Sequence, residues 1–385
     1  MDEQTPDIAL DEERQQLAKE YARFRRWLFF LDLALGAAYV IAWPITGLHV
    51  MVRDEIAEFS TNPWITVALF GLVFALPYLV IDLPLSYYGG FVLPHRYGQS
   101  NQTLRAWVVD QIKGMAIGGV LGLTVLEVVY ELLRTFPSLW WLLAGGVMLL
   151  FTVILSSLAP VLIAPLFYKF TPVEDEDLTQ RLLRLAERAG TRARGVYRFD
   201  MSRRTKSANA ALMGLGATRR IVLGDTLLDE FTADEIETIL AHELGHQVHR
   251  DIPIGIAVNT ALTLLTFWAA HLALRWSVRV FNLQGIADPA GLPIFVLTAA
   301  VLGLMAMPLG NAYSRWRERM ADLYALDSTR KPQAFTDAMA RLANQNLADA
   351  APPAWEVFLL HSHPPLRERM ATAQTFRKQR FDSHA

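Results

Sequence analysis

The stretch Thr232-Ala-Asp-Glu-Ile-Glu-Thr-Ile-Leu-Ala-His-Glu-Leu-Gly-His246 decides how the rest of this chain is interpreted. Thr232 and Glu235 have the spacing of a capping box, which predicts a helix that starts at about Thr232 and runs past His246. Positions four apart lie on one face of a helix, so His242 and His246 can bind one Zn²⁺ through their imidazole rings. Glu243 lies beside them, where it can take a proton from an attacking water.

The composition indicates a membrane protein with a soluble part. Of the 385 residues, 52% are hydrophobic and 19% are charged. The formal net charge of -2 gives no reason to expect nucleic-acid binding. The chain contains no cysteine, so a zinc site in it must use His, Asp and Glu as ligands.

Six apolar segments reach or approach the length of a membrane-spanning helix, about 20 residues. They are residues 27–50, 64–87, 108–133, 139–167, 252–276 and 293–310. Lys and Arg concentrate in residues 1–26, in the 88–107 loop and in residues 169–250, whereas the 51–63 loop carries only Arg53. The positive-inside rule therefore predicts that the three basic regions and the C-terminal tail lie on the cytoplasmic side of a lipid bilayer.

The soluble part between the fourth and fifth spans has the pattern of a small sheet. Glu174–Arg188 is a predicted helix, and the predicted strands or extended segments are Gly195–Asp200, Ser207–Met213 and Arg220–Leu223, with a turn at Gly224-Asp225. In thermolysin-like folds a sheet beside the metal helix forms a cleft whose edge strand pairs with a peptide backbone. Asn209 and Ala210 lie in the candidate edge strand and can bind a substrate main chain. From the local sequence alone, a turn-forming asparagine with no role is the better explanation.

A catalytic zinc site needs a third protein ligand. Glu318 and Asp322 are four residues apart in a predicted helix after the sixth span. We interpret Glu318 as the third ligand and Asp322 as the acceptor for the free ring N–H of a ligating histidine, His242. Without the upstream motif, the two acids would be a solvated helix face among arginines. Glu235 and Asp251 are too close to the motif in sequence to complete a tetrahedron easily.

A further pair of candidate residues lies near the C-terminus. His363 precedes two prolines, which can hold it rigidly on a loop. It can donate a hydrogen bond to the oxyanion that forms when water attacks a peptide carbonyl. Arg369 can form charged hydrogen bonds in the same cleft. Without the zinc motif, a surface loop would be the favoured interpretation.

Several separate motifs in this order resemble those of the type I CAAX prenyl endopeptidases, which are zinc metallopeptidases embedded in membranes. The motifs are Tyr97–Asn101 with Asp110–Lys113, Ala164–Pro172, Ser207–Ala211, Arg220–Leu227, His242–His246, Ser314–Asp322, and Ser362–Pro365 with Arg369. Their joint occurrence is far more specific than the His-Glu-x-x-His motif alone.

The resemblance implies a mainly α fold: a polytopic α-helical membrane protein whose helices form a barrel around a hydrated chamber, with a small α+β thermolysin-like zinc metallopeptidase domain on the cytosolic side. It also implies one Zn²⁺ per chain, substrate binding by Asn209 and Ala210, and roles beside the zinc for His363 and Arg369. The expected domains are a lead-in at 1–26, four spans at 27–168, a metallopeptidase segment at 169–251, two spans at 252–310 and a second metallopeptidase segment at 311–385.

The chain departs from the eukaryotic members of that family. Six spans are predicted instead of seven, Pro94-His95-Arg96 replaces a pair of glutamates, and Ala211 stands where an aromatic residue usually follows the Asn-Ala pair. The compact form indicates a bacterial inner-membrane protein with its active site on the cytoplasmic side. Prenylated CAAX proteins are not expected there, so the resemblance leaves the native substrate open.

The expected function is hydrolysis of peptide bonds in a peptide or protein substrate, lipidated or not. Glu243 and His363 are the candidate catalytic residues, and His242, His246 and Glu318 are the candidate metal ligands. One alternative is a membrane quality-control protease similar to the HtpX proteins; another is a non-catalytic zinc-containing scaffold. The segments 97–113 and 164–172 favour the CAAX type, and Glu243 argues against the scaffold. The sequence leaves the oligomeric state open.

Overall fold

The computed structural model describes residues 9–214 and 219–382. Residues 1–8 of the predicted lead-in and 383–385 of the predicted last domain lie outside the described residues. The helices, in chain order, are α1 Glu12–Thr46, α2 Leu48–Phe59, α3 Pro63–Tyr87, α4 Leu93–Arg96, α5 Leu104–Thr135, α6 Trp140–Leu158, α7 Ala164–Phe167, α8 Glu176–Arg188, α9 Asp225–Glu230, α10 Ala233–Val248, α11 Asp251–Val280, α12 Leu292–Thr329, α13 Pro332–Gln345, α14 Ala354–Leu360 and α15 Leu366–Arg377.

Six helical segments of the described chain are long and apolar enough to cross a membrane, as the sequence predicts. The first differs from its predicted bounds. α1 begins within the predicted lead-in and ends at Thr46, and the predicted 51–63 loop contains most of α2. The break occurs at Gly47, whose φ of 77° lies in the left-handed region that glycine enters without steric cost.

The last membrane-spanning helix continues into the soluble part without a break. α12 has 38 residues, which corresponds to a length of about 57 Å at 1.5 Å per residue. The predicted domain boundary between residues 310 and 311 therefore falls inside one helix. Glu318 and Asp322 lie on the extension of this span, so its position sets theirs.

The helix that carries the two histidines is α10, and it begins where the sequence predicts. The N–H of Glu235 donates to the hydroxyl of Thr232, and the Glu235 carboxylate accepts from the N–H of Thr232. α10 packs on α12. A Cβ on Gly245 would lie 2.9 Å from the Cα of Ala321, so only glycine permits this close approach.

The strands are β1 Phe170–Pro172, β2 Val196–Phe199, β3 Ala210–Met213 and β4 Arg220–Gly224, in the order β1-β2-β4-β3. β2 and β4 are parallel, and the other two pairs are antiparallel. β3 is the last strand in the order, so one of its edges pairs with no strand among the described residues. The predicted turn at Gly224-Asp225 is wrong: α9 starts at Asp225, whose buried carboxylate accepts two hydrogen bonds from Ser202.

Two hydrophobic cores hold these elements together. One lies between the sheet, α8, α10, α12 and α13 and includes the fully buried Leu182, Leu240 and Phe335. The other lies among the membrane-spanning helices and is built around Trp140, Phe70 and Phe267. Many other apolar side chains of the spans lie at the surface, as lipid contact requires.

Candidate active site

Two helices bring the three candidate metal ligands together. His242 and His246 lie on α10, and Glu318 lies on α12. One ligand atom from each residue lies within 4.8 Å of the others. Glu318 lies 72 positions after His246 in the sequence and 76 after His242. It reaches both histidines because α10 packs closely on α12 at Gly245.

The spacing of these atoms fits a metal ion. Nε2 of His242 lies 3.2 Å from Oε2 of Glu318 and 3.2 Å from Nε2 of His246. Nε2 of His246 lies 3.5 Å from Oε1 of Glu318. Ligand atoms about 2.0–2.1 Å from one ion in a tetrahedron lie about 3.3–3.4 Å from one another. The donor set of two imidazoles and one carboxylate is a usual one for catalytic zinc.

The hydrogen bonds of the two histidines also indicate a cation between them. Nδ1 of His242 is 2.8 Å from Asp322, and Nδ1 of His246 is 2.7 Å from Asp251. Because each carboxylate accepts an N–H, each Nε2 is left with a lone pair. These lone pairs face each other and Oε2 of Glu318, which is buried and has no hydrogen-bond donor among the described residues. Acceptors that converge in this way are stabilised by a bound cation.

Arg369 and Asp322 form a buried ion pair behind His242. The guanidinium donates to the two carboxylate oxygens at 2.8 and 2.5 Å. Burial alone would lower the pKa of His242, but the neighbouring carboxylates of Asp322 and Glu318 raise that pKa to about 9. A metal ion must therefore displace a proton from this ring at neutral pH.

Glu243 lies beside the cluster on α10. Burial raises the pKa of its carboxyl above the ordinary value, although the neighbouring His242 and His246 oppose the shift. A carboxyl with a raised pKa is suited to accept and then release a proton near neutral pH.

His363 reaches the cluster from the loop between α14 and α15. Its Nε2 lies 3.3 Å from Oε1 of Glu318, while 62% of the side chain is exposed. Desolvation of the ring lowers the pKa of His363, although the charge of Glu318 opposes the shift. A neutral ring at this position has an N–H available for a substrate atom.

The two candidate substrate-binding residues stand at the start of the edge strand. β3 begins at Ala210, and Asn209 is exposed directly before it. Asn346, which belongs to no sequence motif, holds the chain there: its side chain accepts from the N–H of Ala208 at 2.8 Å and donates to the carbonyl of Ala208 at 3.3 Å. No local pattern predicts this contact between residues 138 positions apart.

Asp251 is a second residue whose position the sequence did not predict. From the sequence, Asp251 is too close to the motif to complete the tetrahedron of metal ligands easily. Its Oδ2 instead lies 2.7 Å from Nδ1 of His246, on the side of the ring that points away from Glu318. The sequence gives one indication of this contact: Asp251 follows His246 by five residues.

Two family models together match nearly the whole chain. The model described as "CAAX prenyl protease N-terminal, five membrane helices" matches residues 4–169. The model described as "Peptidase family M48" matches residues 172–377, which include every site residue named above.

Similar proteins occur in bacteria and fungi. The chain is 30% identical over 364 residues to "Uncharacterized metalloprotease YhfN" of Bacillus subtilis, with 93% of this chain and 85% of that protein covered. It is 32% identical over 383 residues to "Probable CAAX prenyl protease 1" of Schizosaccharomyces pombe, with 94% and 79% covered.

A solved structure shares the fold. The crystal structure of S. mikatae Ste24p superposes with a TM-score of 0.83 at 24% sequence identity, over 96% of this chain and 92% of that one. The arrangement of membrane helices and small sheet described above is therefore the fold of that protein as well.

Proposed function

Because this chain belongs to peptidase family M48 and is an integral membrane metallopeptidase, we propose that the cluster around Glu318 is its active site and that zinc is its metal. The observation that carries the proposal is the convergence of three ligand atoms within 4.8 Å of one another, directly beside Glu243. The ligands would be His242, His246 and Glu318.

The side chains divide the chemistry of peptide hydrolysis among them. A zinc ion held by the three ligands would polarise the scissile carbonyl and the attacking water. Glu243 takes the proton of that water and delivers it to the leaving amine. His363 donates a hydrogen bond to the carbonyl oxygen as its negative charge develops. Asn209 and Ala210 hold the substrate main chain at the free edge of β3.

Asp322 and Arg369 act through His242. Asp322 fixes the proton of His242 on Nδ1, which leaves Nε2 free for the metal. Arg369 keeps the Asp322 carboxylate charged and in place within a buried environment. In this proposal both are positioning residues that do not touch the substrate.

The substrate we propose is a polypeptide that is cut near its C-terminus, as in C-a-a-X processing. A prenylated C-a-a-X peptide tests this class, although prenylated proteins are not expected in a bacterial inner membrane. The names of fungal relatives support it. A cavity of about 670 Å³ beside His363 and Arg369 also supports it, because Arg25 lines the same cavity and supplies a positive charge for a terminal carboxylate. The chamber that the family resemblance implies between the spans would hold a lipid attached to such a peptide.

We propose that residues 169–251 and 311–385 form one peptidase unit, although two spans separate them in sequence. Support comes from their shared core, in which Leu182 and Leu240 of the first segment pack with Ala325 and Phe335 of the second. The continuity of α12 joins this unit rigidly to the membrane spans.

We place the active site on the cytoplasmic side of a bacterial inner membrane. The arginine-rich start of α1 contacts the peptidase unit: Arg14 donates to the carbonyl of Asn344 at 2.7 Å, and Arg26 pairs with Glu356 at 2.5 Å. The positive-inside rule assigns such a segment to the cytoplasm. The similarity to a Bacillus protein supports the bacterial assignment.

The test uses purified full-length protein in detergent, a farnesylated C-a-a-X peptide and its unprenylated twin. We expect cleavage of the farnesylated peptide, loss of that cleavage when a chelator removes the metal, and recovery when Zn²⁺ is restored. Elemental analysis of the untreated protein should find one zinc per chain.

The outcomes separate the parts of the proposal. Equal cleavage of both peptides would keep the metallopeptidase and contradict lipid recognition, which would favour the quality-control alternative. Full activity in the presence of the chelator, with no zinc in the protein, would contradict the assigned metal site.

A further inference from the structure

We infer that Asp251 and Arg317 form a positioning pair that orients the candidate ligand His246, as a counterpart to the pair of Asp322 and Arg369 that orients His242. The metal-binding cluster thereby depends on two ion pairs, and the second joins the starting residue of α11 to α12. The inference concerns metal affinity and does not require the proposed substrate.

The first step is the orientation of the His246 ring. Its Nε2 faces the cluster, 3.2 Å from Nε2 of His242 and 3.5 Å from Glu318. Its Nδ1 faces Oδ2 of Asp251 at 2.7 Å. Asp251 therefore lies on the far side of the ring from the metal position. It is placed to fix the tautomer of His246 and not to bind the metal.

The second step is the support of Asp251 itself. One guanidinium nitrogen of Arg317 donates to Oδ1 of Asp251. The same nitrogen donates to the carbonyl of His249 at 2.7 Å. Oδ2 of Asp251 is thus left for His246. Arg317 directly precedes the ligand Glu318 on α12, so the same helix supplies one ligand and the support for another.

The third step is the turn that brings Asp251 back to the ring. α10 ends at Val248 and α11 starts at Asp251. Between them Arg250 has a φ of 57°, in the left-handed region that non-glycine residues adopt only at a cost. Contacts of the neighbouring residues must therefore stabilise this backbone conformation. The Arg317 contacts to His249 and Asp251, on both sides of Arg250, are suited to do so.

The two pairs have the same connectivity but different surroundings. In each, an aspartate accepts from the Nδ1 of a candidate ligand and from an arginine. The side chains of Asp322 and Arg369 are 3% and 9% exposed, and those of Asp251 and Arg317 are 17% and 13% exposed. α11 and α12 both continue into membrane spans, so the spans set the orientation of His246 through this second pair.

The experiment measures Co²⁺ binding by full-length protein from which the metal has been stripped. Two readouts are taken: the dissociation constant and the visible absorption of bound Co²⁺, which depends on ligand geometry. We expect Asp251→Asn to weaken binding by about 10- to 100-fold and to change the absorption bands. Arg317→Gln should weaken it less, and the double variant should match Asp251→Asn because the two residues act as one unit.

Arg319→Gln is the matched control. Arg319 lies two residues further along α12 and pairs at the surface with Glu368, where the two side chains are 48% and 45% exposed. This variant should bind Co²⁺ as the wild type does. Equal affinity and equal spectra for Arg317→Gln and Arg319→Gln, in metal-free proteins with cooperative thermal unfolding, would overturn the inference.

A purely structural role is distinguished by the spectrum. If Asp251→Asn lowers the unfolding temperature but binds Co²⁺ with wild-type affinity and bands, the pair does not orient His246. If Asp251→Asn fails to fold, Arg317→Gln decides the question, because it keeps the carboxylate that contacts His246.

Discussion

At the scale of single residues, the site depends on the absence of a Cβ atom at Gly245. Gly245 lies between the two histidines of α10 and faces Ala321 of α12. A methyl group at this position would meet backbone, which cannot rotate away. The distance of Glu318 from His242 and His246 is therefore set by a glycine that makes no contact with the metal position.

Gly245→Ala should separate α10 from α12 and weaken metal binding as well as folding. The added Cβ would lie 2.9 Å from the Cα of Ala321, and such overpacking costs about 1–3 kcal/mol. Thermal unfolding and Co²⁺ titration of the purified variant check both effects. Gly255→Ala is the control, because a Cβ there has no atom within 4 Å. Wild-type metal affinity in Gly245→Ala would refute this account of the helix contact.

The residues of the site differ in how far the sequence predicted them. The spacing of His242, His246 and Glu318 predicted their convergence, because helical periodicity and metal chemistry restrict the choice of ligands. Asp251 and Asn346 were missed as partners of His246 and Ala208. Their contacts depend on a tight turn and on tertiary packing, which no local pattern encodes.

At the scale of elements, a cluster of charges joins α8, α10 and the start of α13. The Glu237 carboxylate of α10, 7% exposed, accepts from Lys331 at 2.6 Å and from Nε of Arg181 at 2.8 Å. Burial alone would raise the pKa of Glu237, but the hydrogen bonds from Lys331 and Arg181 outweigh it and lower that pKa below the ordinary 4.5. The ionised carboxylate therefore stabilises the packing of these helices.

Glu237→Gln should destabilise the protein by about 1–3 kcal/mol at neutral pH, because it removes the buried carboxylate shared by Lys331 and Arg181 and leaves these cations only the half-exposed Asp234. The pKa of the folded state is depressed, so the contribution of Glu237 is fully present above pH 4.5 and is lost as the pH falls through the folded pKa. The difference in unfolding temperature between wild type and variant should therefore shrink below pH 4.5. A constant difference across this range would contradict the assignment, and the exposed Glu230→Gln serves as control.

The elements also show which patterns determine local structure. Apolar length predicted all six spans, because the bilayer sets a minimum length, and the capping box predicted the start of α10. α2 and α9 were predicted as a loop and a turn. α2 has 12 residues and is too short for a span, and α9 depends on the buried contacts of Asp225 with Ser202.

At the scale of the whole molecule, the membrane spans hold the segment that leads to the edge strand. Ser100, after the second span, pairs with Thr205 in an antiparallel bridge. Arg204 donates two hydrogen bonds, at 2.8 and 3.0 Å, to Asp110 in the third span. Asn209 follows a few residues later, so the position of the candidate substrate strand depends on the second and third spans.

A double-variant cycle of Asp110→Asn and Arg204→Gln should show coupling of about 0.5–3 kcal/mol in thermal unfolding, because both side chains are largely buried and bind each other. Each single variant should also raise KM more than it lowers kcat, since the edge strand would be held less firmly. The pair of Arg319 and Glu368, whose side chains are 48% and 45% exposed, should be uncoupled. Additive effects of Asp110→Asn and Arg204→Gln would contradict the connection.

The proposed mechanism requires that Glu243 act on a substrate beside a metal held by three other side chains. Wild type, Glu243→Ala and Glu318→Ala are compared for zinc per chain and for peptide cleavage in the same preparations. We predict that Glu243→Ala keeps its zinc and loses at least about 100-fold in cleavage rate, while Glu318→Ala loses both. Near-wild-type cleavage by Glu243→Ala, or full zinc content in Glu318→Ala, would contradict the claim.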